Sequence, residues 1–162
     1  MLSPQYTFSG RIVESLAIAT YRKYLGDNSQ GSFKDGFYQI TPLRGVPVNS
    51  DKNVRIKFFH PPEGYPSFSL SDILNDRVPK EKIAGKAVFV GEYGALIHDS
   101  HLSPVDPVNQ MPGVEFHANL LDGLIQNQTL EEQNVKVFAF YAIITLLILS
   151  VIFYFPSTLV SA

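Results

Sequence analysis

Three of the four histidines in this 162-residue chain crowd into one window with several carboxylates: Glu92, His98, Asp99, His101, Asp106, Glu115, His117 and Asp122. Imidazole nitrogens and carboxylate oxygens are ligands for divalent ions, so His98, Asp99, His101 and His117 raise the question of a metal site and, with it, of a metal-dependent hydrolase. Their spacing matches no HExxH or comparable motif. A packed, hydrogen-bonded His117 and an Asp99 that orders loop backbone account for the same residues, and that reading outweighs the metal. No metal ligand, no catalytic residue and no cofactor is therefore assigned. The candidate ligand-binding or structural polar cluster is Asp99, His117, Glu115, Asn119, Gly91 and His98.

Other chemistries fail on composition or spacing. The chain has no cysteine, which removes thiolate ligands, thiol nucleophiles and disulfides together. Gly91-Glu92-Tyr93-Gly94 could offer amides to a phosphate, but a dinucleotide fingerprint opens a helix directly, and no Lys-Ser or Lys-Thr follows as in a P-loop. There is no GxSxG nucleophile motif. With a net charge of −2 and no basic run, the chain lacks the electrostatic footprint of a nucleic-acid binder.

The elements that must position these residues follow from pattern and punctuation. Lys86-Ala87-Val88-Phe89-Val90-Gly91 is a continuous apolar run bounded by glycines, which predicts a strand buried on both faces, as in a parallel sheet. Glu92 to Met111 reads as a long loop, and Pro112-Gly113 opens a helix through about Ile125. On that helix Val114, Ala118, Leu121 and Ile125 form the apolar arc, with His117 inside it; Glu115, Asn119 and Asp122 share the opposite face. His117 should therefore turn toward the sheet and Asp99, with Glu115 about 160° away around the helix and outside that pair. Earlier in the chain, Arg11 to Leu25 reads as an amphipathic helix with Ile12, Val13, Leu16, Ala19 and Tyr24 on its apolar side, closed by Gly26. Phe37 to Ile40 and Val54 to Phe58 read as strands, and Ser69 or Ser71 caps a short helix through Leu74.

From Val137 to Ala162 no charged side chain occurs, and Val137 to Phe155 is almost wholly apolar or aromatic. At about 1.5 Å per residue that stretch matches a hydrocarbon core of about 30 Å. Tyr141 and Tyr154 fall near its ends, Thr145 and Ser150 can return their hydroxyls to the helix backbone, and Pro156 bends or ends the span. All the charged residues lie at or before Lys136, so a polar globular part and a membrane segment share the chain. Glu131, Glu132 and Lys136 are of mixed sign, so flanking charge does not set the orientation.

Four segments, FHPPEGYPSFSLSDILN (59 to 75), IAGKAVFVGEYG (83 to 94), HDSHLSP (98 to 104) and MPGVEFHANLLDGLI (111 to 125), resemble in order and spacing the second CHASE family, the extracellular sensory domain of bacterial cyclases and kinases. The matching positions are Ser69, Gly85, Lys86, Gly91, Asp99, Pro104, Pro112, Gly113, Val114, Glu115, His117, Ala118 and Asn119; His60, Glu92 and Ser103 depart from the family's usual residues. The resemblance implies the carboxyl half of a sensor followed by its first exit helix, in the inner membrane with the globular part outside the cytoplasm. It further implies signal input without catalysis, the cyclase or kinase output lying elsewhere. The expected fold is therefore α/β: a partial, mostly parallel sheet flanked by helices over residues 1–130, a linker over 131–136, a transmembrane helix over 137–156 and a tail over 157–162. The expected partners are the lipid bilayer, an unidentified small-molecule or environmental signal and a second copy of the chain. The alternatives are the membrane-anchored hydrolase and a tail-anchored scaffold.

Overall fold

The computed structural model describes residues 1–93, 99–132 and 135–160, with the side chains of 154–160 left out. His98 and Gly94 lie outside the described residues. Two compact units divide the chain, Met1–Glu131 and Glu132–Ala162.

The first unit opens with a hairpin, β1 (Gln5–Phe8) paired antiparallel with β2 (Arg11–Glu14). Its two-residue turn has φ of 48° at Ser9 and 75° at Gly10, the left-handed pair that matches strand twist. This hairpin replaces the first turn of the helix expected from Arg11. The helix instead starts at Leu16, as α1 (Leu16–Tyr24), with Ser15 in extended conformation before it. The change of element shifts the phase: Ala17, Ile18 and Tyr21 are buried, whereas Ile12, Val13, Leu16 and Tyr24 are exposed. Gly26 at φ 72° closes the helix as expected.

A meander follows, β3 (Ser32–Lys34), β4 (Phe37–Thr41) and β5 (Arg44–Pro47), in the order β3-β4-β5. Val54 and Ile56 are buried and Lys57 exposed, so the expected alternation holds, but Val54 makes only isolated bridges to Leu2 and Val48 rather than a strand ladder. A short helix α2 (Leu70–Leu74) begins under Ser69, whose hydroxyl accepts the amide of Asp72 at 3.0 Å. A second hairpin, β6 (Ser100–Ser103) with β7 (Asp106–Pro112), occupies most of the expected loop. Asp106 Oδ1 orders the start of β7 by accepting the amides of Val108 and Asn109, each at 2.9 Å. The helix α3 (Gly113–Ile125) then runs as its sequence predicts.

The core joins Ala17, Ile18 and Tyr21 of α1, Tyr38 and Ile40 of β4, Val46 of β5, Val54, Ile56, and Leu120, Leu121 and Leu124 of α3. Arg22 passes through its edge as a buried cation, bonded to Glu14 and to the carbonyl of Ser29, while Tyr38 donates to Glu14 at 2.5 Å.

The expected parallel sheet is overturned. Among the described residues the strands form three small sheets, all antiparallel. Ala87 to Val90 joins none of them; Val88 is 52 % and Val90 75 % exposed. An apolar run between glycines reports that a segment is suited to burial, not that a strand lies beside it, and the local pairings that short turns enforce took the ladder hydrogen bonds here.

The second unit is α4 (Val135–Val160), in which Val135–Phe153 is long and apolar enough to cross a membrane. Its backbone does not stop at Pro156 but continues helical to Val160. Phe138, Tyr141, Leu147 and Phe153 are among its exposed side chains, and Thr145 returns its hydroxyl to the carbonyl of Tyr141 at 2.9 Å.

Candidate functional site

Pro112 and Gly113 set the start of α3. Gly113 donates its amide to the Asp99 carbonyl at 2.7 Å, and the Asp99 carboxylate lies where a Cβ on Gly113 would stand, so the segment before β6 closes directly onto the start of the helix. Gly91 serves the same end: a Cβ there would lie 2.7 Å from Val114 Cβ, so the segment leading to Tyr93 also lies directly on α3.

Glu115, Asn119 and Asp122 follow one another at spacings of four and three residues and so share one face of α3. The sequence identifies that grouping but suggests solvent as its neighbour. In the structure Glu115 is 3 % exposed and Asn119 fully buried, because the segment 59–65, FHPPEGY, covers them. The amides of Phe59 and His60 donate to Asn119 Oδ1 at 2.8 and 3.2 Å, and the amide of Glu63 donates to Glu115 Oε2 at 3.0 Å. Pro61 and Pro62 have no N–H, so every amide the chain offers from Phe59 to Glu63 is spent on α3 side chains. Tyr65 completes the row by donating its hydroxyl to Asp122 Oδ2 at 2.7 Å. Asn119 in turn donates to the Glu115 carbonyl at 3.0 Å, so both ends of its amide are committed. The turn is tight: Glu63 has φ 61°, and a Cβ on Gly64 would lie 2.8 Å from the Pro61 carbonyl oxygen.

A second segment meets the same carboxylate. Tyr93 donates to Glu115 Oε1 at 3.1 Å, so Glu115 holds together α3, 59–65 and the stretch after Gly91. Burial raises the Glu115 carboxyl above its ordinary value; the bonds from Glu63 and Tyr93 oppose this in part, the Glu63 charge adds to it and His60 lowers it. Burial, with the bond to Glu115 and its charge, pushes the Tyr93 phenol up to about 12. Tyr65 is raised for the same reasons, burial first and Asp122 next.

Asp99 and His117 belong to a different corner. Asp99 is exposed, its carboxylate lies over Gly113, and His101 Nε2 stands 3.9 Å from its Oδ1. His117 is half-buried, its Nδ1 lacks a hydrogen-bond partner, and burial lowers it below the ordinary imidazole value while the Asp99 charge pulls the other way. Asp99 thus acts on His117 through its field rather than through a bond. Of the candidate residues, Glu115 and Asn119 are brought together under 59–65, Gly91 lies against the start of α3, and Asp99 and His117 lie apart from that row. The sequence reading missed Glu63, Tyr65 and Tyr93 as partners; the signal available for them was a proline pair followed by Glu-Gly, which concentrates the free amides of a turn into a short donor row. Among the described residues no group of three or more His, Asp or Glu is placed to hold a metal ion. A groove of about 440 Å³ over β3 and β4, lined by Ser29, Gln30, Lys34, Asp35, Gln39 and Thr41 among others, draws no residue from α3 or from 59–65.

A family profile described as the CHASE2 domain matches residues 1–154. No curated protein and no solved structure matches. The profile spans both the globular unit with its α3 joint and the membrane-length stretch Val135–Phe153 of the apolar helix, and the chain belongs to the CHASE2 family of extracellular sensory domains.

Proposed function

We propose that this chain is the signal-input part of a membrane receptor, with residues 1–131 outside the cytoplasm, α4 in the inner membrane and a cyclase or kinase output supplied beyond it. The observation that carries the reading is the family match over residues 1–154, which includes an apolar helix of membrane-spanning length, free of charge from Val137 onward. A sensor needs an element with two arrangements whose balance a signal can tip. The joint between α3, 59–65 and Tyr93 supports that role, since a few polar contacts on one buried carboxylate and one buried amide tie three segments together. The chain itself carries no reaction in this reading; its partners are the bilayer, a signal from outside and a second copy of the chain.

The chain's lack of cysteine makes a direct test available. Leu43 is 94 % exposed, so Leu43→Cys introduces one reactive thiol on the globular unit. Intact cells treated with a membrane-impermeant maleimide should label it fully, and labelling only after lysis would overturn the extracytoplasmic placement. The mass of the native polypeptide, together with cyclase and kinase assays on it, tests the output.

A further inference from the structure

Glu115 is buried, yet among the described residues it forms no ion pair. Its two partners are neutral donors from two different segments, the Glu63 amide and the Tyr93 hydroxyl. The ionisable groups around it come from every segment packed there: Glu63, His60 and Tyr65 from 59–65, Tyr93 from the stretch after Gly91, and Asp122 from α3 itself. Among the described residues around it only His60, when protonated, offers a charge of opposite sign, and it stands nearer to Asp122, its Nε2 lying 4.0 Å from Asp122 Oδ2.

Building on the reading of the chain as a sensory domain, we propose that Glu115 is its proton-binding site, so that the signal the domain reads is the acidity of the medium outside the cell. In the ionised state Tyr93 donates to Oε1 and Glu63 donates to Oε2. A proton taken from water onto Oε1 reverses the first bond: the new O–H donates to the Tyr93 oxygen, and the phenol hydrogen turns away to the solvent that reaches this 44 % exposed side chain. The Glu63 amide keeps donating to Oε2. Both states are therefore hydrogen-bonded, a condition that a lysine or arginine partner would not meet. What changes is the strength of the joint. Two charge-assisted bonds become neutral ones, roughly half as strong, but the larger cost of the buried charge disappears, so protonation tightens the grip of α3 on 59–65 and on Tyr93 and ionisation loosens it. Burial raises this carboxyl above the ordinary glutamate value, so it holds its proton to higher pH than a solvated glutamate would.

The test is a titration of the whole chain in lipid nanodiscs, with glutamate carboxyl carbons labelled and followed by NMR. One glutamate signal should titrate at higher pH than the rest, vanish in Glu115→Gln, and move to still higher pH in Tyr93→Phe, which removes a donor to the ionised form. Amide exchange at Glu63, compared with Glu115→Gln at each pH, should be faster in the wild type while Glu115 is ionised and fall to the variant's level as that signal takes up its proton. Tyr93→Phe also assigns the signal if Glu115→Gln fails to fold. A Glu115 carboxyl that titrates with the other glutamates, a midpoint indifferent to Tyr93→Phe, or unchanged Glu63 exchange would each overturn the proposal. The maleimide experiment stands apart: an ordinary Glu115 titration in a protein labelled from outside removes the proton as signal and leaves the sensory reading intact. A high titration in a protein not labelled from outside does the reverse.

Discussion

Two helices of this chain, α3 and α4, are both rich in apolar residues and obey opposite rules. On α3 the apolar residues Leu120, Leu121 and Leu124 go into the core, and the polar residues Glu115 and Asn119 are buried as well, each satisfied by donors from a neighbouring segment. On α4 the exposed side chains include Phe138, Leu147, Ile148 and Phe153, and the hydroxyl of Thr145 returns to the helix's own backbone. On the proposed placement of α4 in the membrane, the difference is one of solvent. A helix in a water-soluble unit can bury a polar side chain when another part of the chain supplies complementary groups, whereas a helix surrounded by lipid must satisfy every polar group within itself.

The largest effect should come from putting charge where α4 permits none. Leu147→Arg with Ile148→Asp places two charges near the middle of the span, each costing about 2.5–3.5 kcal/mol on insertion scales. The doubly substituted chain should leave the membrane fraction on carbonate extraction. Unchanged retention would mean that α4 is not in contact with lipid and that the contrast with α3 is false.

On α3 the corresponding change removes an acceptor that the fold has buried. Asn119→Ala leaves the amides of Phe59 and His60 without a partner inside the structure, at about 1–3 kcal/mol for each group so stranded. Urea unfolding of the full chain in detergent should show a destabilisation of about 2–4 kcal/mol in the globular unit, with α4 still in the micelle. A loss below about 0.5 kcal/mol, the range of ordinary surface substitutions, would show that 59–65 does not depend on this row. Tyr65→Phe probes the row's more open end. Asp122 is about one-third exposed and water can replace the lost donor, so about 1 kcal/mol is expected in the same measurement.

The two helices also differ in how far the sequence discloses them. Length and the uncharged run from Val137 suffice to mark α4 as a helix that could cross a membrane, because lipid contact would impose one requirement on every position. Pro112-Gly113 and the spacing of Val114, Ala118 and Leu121 suffice for the limits of α3, and Glu115, Asn119 and Asp122 are visible as a group. What covers them is not visible, since a polar stripe normally faces water and its cover is a turn fifty or more residues earlier whose amides carry no side-chain signature. The same limit explains the errors in the fold. A helical period read from Arg11, through the residues that form β2, gave α1 the wrong phase. The apolar run from Ala87 to Val90 carries no information about a pairing strand, and the β6–β7 hairpin is concealed by exposed residues and prolines that read as loop.

The smallest expected effect is also the sharpest comparison, because it asks whether burying Glu115 in ionised form helps or harms the fold. Its carboxyl is raised in the folded state, so the folded protein binds the proton more tightly than the unfolded chain does. The stability linked to this group is therefore fully present below the ordinary glutamate range and is lost as pH rises through the raised folded value. Glu115→Gln keeps an acceptor for the Glu63 amide and gains a donor for the Tyr93 hydroxyl without carrying charge. Measured by urea unfolding from mildly acidic to neutral pH, the variant should lack the decline that the wild type shows over that interval and should match or exceed its stability at neutral pH. A variant less stable than wild type at neutral pH would mean that the two hydrogen bonds to the carboxylate outweigh its desolvation, and that Glu115 belongs in the joint as an anion.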